Sequence, residues 1–114
     1  MEKENANGTL ALGYILLHPI RYQIVRVLKE KQKLYINELE GILGINRKVI
    51  SFHLSTLNQY GFVEGNYEVL KIPHSDSKGK AAKYFKLTPK VDDVLETVCR
   101  YLRYLKFDNC IQLL

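Results

Sequence analysis

The sequence predicts a mainly α-helical protein with one small β-hairpin. Apolar residues recur every three or four positions in several segments bounded by capping residues, which is typical of amphipathic helices. Two later runs, residues 66–72 and 81–87, favour strands and flank a stretch, 73–80, with turn chemistry. A chain of 114 residues with 46% hydrophobic content is long enough for one domain with a modest core.

The charge and the cysteines indicate a nucleic-acid partner and a reducing environment. The net charge is +5 and the pI is about 9.2, which favours an anionic partner, nucleic acid first and a membrane surface second. Cys99 and Cys110 would lie roughly 16 Å apart on one helix, too far for a disulfide. No signal peptide is visible, and residues 10–17 are too few to span a bilayer. We expect a reduced, cytoplasmic protein associated with the nucleoid.

Two helices are predicted at the start of the chain. Residues 1–8 are polar and are expected to be flexible, and Thr9 is expected to cap a helix to about Leu17. That helix is apolar nearly all round, so its own domain or a second subunit must cover it. His18-Pro19 interrupts it, with His18 expected to cap a second helix over 19–32. The predicted buried face of this second helix is Ile20, Ile24, Val27 and Leu28.

A small strand and a helix-turn-helix are predicted next. After the β-prone residues 34–36, Asn37 with Glu40 three positions on resembles a capping box for a short helix over 38–43. Gly44 ends that helix, and Asn46 caps a longer one that finishes before Gly61. A short helix, a glycine turn and a longer helix form a helix-turn-helix. Its short helix is expected to bury Leu39, Ile42 and Leu43, and Ile45 to be the buried residue of the turn.

The predicted solvent-exposed face of the longer helix is unusual because it carries no acidic residue. Its apolar stripe is Ile50, Leu54 and Leu57, widened by Val49 and Tyr60. No carboxylate occurs from residue 41 to residue 63, so the polar face offers only positive and hydrogen-bonding groups, which suit phosphates and base edges. The alternative is an ordinary amphipathic helix with a polar outside.

The predicted hairpin is rich in lysine. Residues 71–90 hold six lysines and one acid, Asp76, a net charge of +5. This charge suits a polyanion, although lysines also protect exposed hairpins from edge-to-edge pairing. The six are Lys71, Lys78, Lys80, Lys83, Lys86 and Lys90.

The last predicted helix carries a seam of apolar residues. Thr88 is expected to cap it, with Pro89 at its first position and residues 108–114 following as a tail. Spacings of four and three along the seam match two heptads of a coiled coil. This favours contact with a second subunit, and packing within the monomer is the alternative. The seam is Val91, Leu95, Val98, Leu102 and Leu105.

Several short motifs together resemble the ArsR-like winged helix-turn-helix transcriptional regulators over residues 14–90. They are His18-Pro-Ile-Arg, Glu38-Leu39, Gly44-Ile45-Asn46, Ser51-Phe52-His53-Leu54-Ser55-Thr56-Leu57, Gly61-Phe62-Val63 and the hairpin run from Lys78 to Thr88. The resemblance implies a three-helix core with a wing, and a homodimer that binds a near-palindromic DNA site. It places Asn46, Arg47, Lys48, Ser51, Phe52 and Ser55 in or beside the major groove. Phe52 stands where the family often has arginine.

These observations predict a sequence-specific DNA-binding regulator, a repressor, that acts as a homodimer. Residues 9–90 would form the DNA-binding domain and residues 91–114 the dimerisation helix and tail. The wing lysines Lys78, Lys80 and Lys83 would follow the flanking backbone or the minor groove. The dimer would be held by Leu12, Ile15, Leu16, Val91, Leu95, Val98, Leu102 and Leu105.

Metal and enzyme chemistry are not predicted. His18, His53 and His74 are scattered, and His53 is expected to pack or hydrogen-bond beside the core. Cys99 and Cys110 lack ligand partners at suitable spacing, apart from Asp108. No nucleophile has a recognisable partnered base and no glycine-rich phosphate loop occurs, so no cofactor is expected.

Two other function classes stay open. The aromatic residues Tyr35, Phe52 and Tyr67 would suit a winged-helix adaptor that binds protein rather than DNA. Tyr84 and Phe85 could stack on single-stranded nucleic acid or RNA, although at alternating strand positions one of them must point inward.

Overall fold

The predicted fold class is confirmed by a computed structural model, which describes residues 2–70 and 80–105, with side chains over 8–69 and 81–105. Helices surround a small three-stranded antiparallel sheet in the strand order β1–β3–β2. The elements in chain order are α1 (Glu2–Leu16), α2 (Pro19–Lys31), β1 (Leu34–Tyr35), α3 (Ile36–Leu43), α4 (Arg47–Gln59), β2 (Val63–Leu70), β3 (Lys80–Leu87) and α5 (Lys90–Tyr104).

The first helix is longer than the sequence predicts, and the second begins where predicted. Helix α1 starts at Glu2, so the predicted cap at Thr9 is wrong. The early residues include glutamate, lysine and alanine without proline, so nothing stops the helix from extending. Helix α2 starts at Pro19, and Nδ1 of His18 accepts a hydrogen bond from the N–H of Ile20 at 3.2 Å. The predicted histidine cap is thus confirmed.

Helix α3 begins earlier than its predicted capping box. The N-cap is Tyr35, whose N–H donates to Oε1 of Glu38 at 3.0 Å. Asn37 therefore lies inside the helix, and its predicted capping role is wrong. Leu39 is fully buried as predicted, but Ile42 is 49% exposed, so its predicted burial is wrong.

Helix α4 follows the prediction closely. Oδ1 of Asn46 accepts from the N–H of Lys48 at 2.8 Å, which satisfies one open donor of the first turn. Gly44 before this helix and Gly61 after it have φ of +65° and +79°, a region that favours glycine. The stripe of Ile50, Leu54 and Leu57 is buried. Its predicted extension through Val49 and Tyr60 is wrong, since each is 37% exposed.

The sheet fixes the wing, which we define as the β2–β3 hairpin, beside α3. Strand β3 is central, with Leu34 of β1 opposite Phe85 and Val63 of β2 opposite Leu87. Thr88 ends the wing rather than capping α5 as predicted. Its hydroxyl donates to the carbonyl oxygen of Gly61 at 2.6 Å, which binds the end of β3 to the turn after α4.

Helices α1 and α5 pack against each other within one chain. Gly13 lies so close to Val98 that a Cβ at position 13 would overlap that side chain. Four residues of the predicted dimer interface are at most 7% exposed and belong to the core of the single chain: Leu16, Val91, Leu95 and Val98. For these four, packing within the monomer is what the structure has. Leu12, Ile15 and Leu102 are partly buried against the same core, and Leu105 is 46% exposed.

Candidate nucleic-acid interface

Helices α3 and α4 and strand β3 enclose a groove of about 770 Å³. This groove places the polar face of α4 and the inner face of the wing on one concave surface. The side chains that line it come from all three elements and include Asn37, Glu38, Arg47, Ser51, Ser55, Asn58, Ala82 and Lys83.

All of the α4 residues named from the sequence lie on the solvent side of the helix. Asn46, Arg47, Lys48, Ser51, Phe52 and Ser55 are each exposed. Phe52 is 65% exposed, a large fraction for an aromatic residue. The buried apolar stripe described above occupies the opposite side of the helix, so its packing against the core leaves the polar side exposed. The exposed side offers two cations, two hydroxyl groups and one aromatic ring to a partner.

Arg47 is not free at the helix N-terminus. Its Nη2 donates a hydrogen bond to Oδ1 of Asn37 on α3. Its Nε lies 3.8 Å from Oε2 of Glu40, also on α3. The stretch without carboxylates therefore meets an acid from the neighbouring helix, which a count along residues 41–63 misses.

The wing supplies one described cation to the groove. Nζ of Lys83 lies 5.5 Å from the ring centroids of both Tyr67 and Phe85, a cation–π arrangement that keeps it at the groove wall. Lys86 instead pairs with Glu64 of β2, Nζ to Oε1 at 3.2 Å. Lys78 lies outside the described residues, and so does the side chain of Lys80, although Lys80 begins β3.

The charge of the wing is smaller than the sequence count suggests. Strand β2 begins at Val63, not at residue 66, so Glu64 joins Glu68 in the hairpin. Glu68 pairs with Lys33, Nζ to Oε1 at 3.1 Å. Glu64 thus pairs with a lysine of the hairpin and Glu68 with a lysine that precedes β1, so the first strand of the wing partly offsets the positive charge of residues 71–90.

A partly buried polar cluster lies behind α4, on the side away from the groove. Nε of Arg21 donates to the carbonyl oxygen of Ile15 at 2.6 Å, and its Nη1 lies 3.3 Å from Nδ1 of His53. The rings of His18 and His53 are 4.5 Å apart. Burial, and then the nearby charges of His18 and Arg21, lower the pKa of His53, so the neutral ring can accept from Arg21. The predicted packing of His53 beside the core is confirmed.

The wing aromatics do not form a pair of stacking platforms. Phe85 packs against the core, whereas the adjacent Tyr84 lies on the other face, edge-to-face with Tyr35 at 6.3 Å. Nζ of Lys33 lies 4.6 Å from the Tyr84 ring centroid. Tyr67 is 71% exposed on the inner face of the wing, so it is the more accessible aromatic.

Over residues 2–70 and 80–105, no cluster of three or more histidine, cysteine or acidic side chains could hold a metal ion. Within the same ranges, no helix combines the length and apolar character needed to cross a membrane. Cys99 is buried in α5, whereas Cys110 and His74 lie outside the described residues.

Comparison with known proteins confirms the resemblance over the helix-turn-helix. Residues 18–65 match the model described as "Bacterial regulatory protein, arsR family". These residues run from the cap of α2 to the first part of β2 and include all of α3 and α4. That family is one of regulatory proteins rather than of enzymes. No curated protein matches the chain.

Solved structures show the same fold. A transcriptional regulator homologue from Pyrococcus horikoshii OT3 has a TM-score of 0.62 at 15% identity, over 89% of this chain and 97% of that one. A possible transcriptional regulator for arsenical resistance has a TM-score of 0.55 at 21% identity, over 92% and 91%. A protein from Halomicrobium mukohataei with a GntR superfamily winged-helix-turn-helix domain has a TM-score of 0.63 at 17% identity, over 95% and 76%. At these identities the likeness establishes a winged-helix fold.

Proposed function

We propose that this protein is a sequence-specific double-stranded DNA-binding transcriptional regulator that acts as a homodimer. The observation that carries the proposal is the groove, because it joins the exposed face of α4 to the wing in one surface. The regulator family matched by residues 18–65 supports the same assignment. A regulator that works on DNA acts inside the cell, at the nucleoid.

In this proposal α4 is the recognition helix and lies in the major groove. Arg47 and Lys48 sit in its first turn, where the helix dipole also favours anions, so Lys48 binds phosphate there while Arg47 reaches a base edge. Ser51 and Ser55 reach base edges about one and two turns further along, and the ring of Phe52 meets a thymine methyl.

The wing then lies on the DNA that flanks the recognition helix. Lys83 projects from the groove wall toward the backbone or the minor groove. From the sequence alone, we propose that Lys78 and Lys80 also contact the flanking backbone or the minor groove.

The dimer surface we propose is the outer side of α1 and α5. Tyr14 and Tyr104 are each 81% exposed, and Tyr101 stacks on Tyr104 with ring centroids 6.5 Å apart. Leu17 and Leu105 are also exposed. Exposed aromatic and apolar side chains on adjoining helices suit a partner surface. A twofold dimer would set two recognition helices about 34–36 Å apart, one turn of DNA.

The first experiment is selection of a duplex from a random pool, followed by binding measurements at two salt concentrations. The double variant Arg47→Ala, Lys48→Ala should bind the selected duplex at least about tenfold more weakly and with a shallower salt dependence. The matched control is Arg26→Ala, Lys31→Ala, which removes two exposed cations from α2. Equal affinities for the two double variants would exclude α4 as the DNA reader, and a pool without any selected duplex would exclude the function.

The second candidate is a winged-helix adaptor that binds protein. The 65% exposure of Phe52 and 71% exposure of Tyr67 favour it. Gel shifts with duplex DNA and with single-stranded nucleic acid separate the candidates, since an adaptor shifts neither. We propose repression as the direction of regulation, tested with a reporter gene placed behind the selected duplex: expression should fall when the protein is present, and a rise would reverse the assignment.

A further inference from the structure

Two residues of α3, Asn37 and Glu40, contact the same side chain of the recognition helix. Asn37 accepts from Nη2 of Arg47, and Glu40 lies 3.8 Å from its Nε. The two are three positions apart, so they lie on one face of α3, and that face meets the first turn of α4. We propose that Asn37 and Glu40 are positioning residues that orient Arg47 for one base pair and so determine sequence specificity. This inference rests on the proposed DNA-binding function.

The geometry of the guanidinium explains how such a contact would act. An arginine presents five N–H donors in a rigid plane, and fixing two of its nitrogens fixes the direction of the rest. The contacts to α3 use one N–H of Nη2 and the N–H of Nε, which leaves both donors of Nη1 and the second donor of Nη2 for a partner in the groove that Arg47 lines. A guanidinium held in this way is prepared for the paired acceptors on the edge of guanine.

Glu40 also opposes the use of Arg47 as a simple phosphate contact. The side chains of Arg47 and Glu40 are 51% and 39% exposed, and an ion pair at that exposure adds little to stability. The ion pair instead affects the direction in which the Arg47 side chain points. A phosphate contact that turns the guanidinium away from α3 would cost Arg47 both of these partners, whereas a base edge that approaches its remaining donors would leave them in place. The pair therefore favours readout of sequence over binding to any duplex.

This assignment also accounts for the failed capping box. The spacing Asn37-x-x-Glu40 matches a helix start, yet Tyr35 and Glu38 fill those positions. The side chains of Asn37 and Glu40 face α4 instead, where both contact Arg47.

The test is a double-mutant cycle on specificity. The measured quantity is the ratio of affinities for a duplex selected by the wild-type protein and for a shuffled duplex of the same length. Glu40→Gln and Asn37→Ala should each lower this ratio several-fold, and together by about tenfold, within the discrimination expected of one well-placed arginine. In the Arg47→Ala background neither change should alter the ratio, because both act through that side chain.

A control separates this effect from a general gain of positive charge. Glu30→Gln changes the charge equally at an exposed position of α2. It should raise affinity for both duplexes alike and leave the ratio unchanged. If Glu40→Gln lowers the ratio equally with and without Arg47, or leaves it unchanged, the positioning role is wrong although the DNA-binding function stands.

A second measurement needs no DNA. Nitrogen relaxation of the Arg47 Nε–H group in the free protein should show an ordered side chain, and the order should drop in Asn37→Ala and in Glu40→Gln. An Arg47 side chain that is equally mobile in all three proteins would overturn the inference. Should no duplex be selected at all, the proposed function fails first, and the positioning role fails with it.

Discussion

The close approach of α1 and α5 gives a stability prediction with a matched control in the same helix. Gly8 and Gly13 both lie in α1, but a Cβ meets nothing within 4 Å at Gly8 and overlaps Val98 at Gly13. Replacing glycine by alanine in a helix interior adds up to about 1 kcal/mol of stability. Forcing a methyl group into a packed contact costs about 1–3 kcal/mol. Gly8→Ala should therefore stabilise the protein, whereas Gly13→Ala should be about 1–3 kcal/mol less stable than Gly8→Ala.

Urea unfolding monitored by circular dichroism gives both free energies of unfolding. Taking the difference between the two variants cancels the helix propensity they share, so what is left reports the contact with Val98. A companion variant, Val98→Ala, removes the obstacle, and Gly13→Ala should cost less in that background. Equal stabilities for Gly8→Ala and Gly13→Ala would show that α1 does not pack on α5 as described, and the dimer surface proposed on these two helices would lose its basis.

Two further predictions concern the supports of α4. Because the pKa of His53 is lowered from 6.5 in the folded protein, the unfolded chain takes up more protons below that pH, so the free energy of unfolding should fall as the pH drops below 6.5 and be insensitive to this group above it. Urea unfolding across that range measures the fall, which His53→Gln should reduce; an unchanged slope would remove His53 as its source. Thr88→Val should lose about 1 kcal/mol through the lost hydrogen bond to Gly61, whereas Thr88→Ser should keep most of it, and equal losses would point to packing rather than to the hydroxyl.

The exposed face of α4 was predictable because local rules determine it. An asparagine cap, a glycine after the helix and an apolar stripe at helical spacing fix which side of α4 is buried, and the exposed residues follow by exclusion. The partner of Arg47 was not predictable in the same way. Glu40 lies seven positions earlier and across a turn, so only the packing angle of α3 on α4 brings it near.

The apolar seam of α5 shows a different limit. A stripe that packs on α1 of the same chain and a stripe that packs on a second subunit need the same spacing, so periodicity cannot name the partner. Gly13 was the sequence signal for packing within the chain, since a glycine inside an apolar helix often lies close to another element. The start of β2 was misplaced because Glu64, Gly65 and Asn66 are residue types that are uncommon in strands, so this part of β2 lacks the β-branched and aromatic residues that indicate a strand.

The central position of β3 separates two properties of the wing. Its base is hydrogen-bonded on both sides, to β1 at Leu34 and Tyr35 and to β2, whereas residues 71–79 join the strands at the far end. Because β3 is hydrogen-bonded along both edges at this base, changes in the length or composition of the connection need not alter the position of α4. Under the DNA-binding function proposed above, the length of the hairpin and the orientation of α4 could therefore change independently, and the same fold could serve DNA sites that differ only in their flanking sequence.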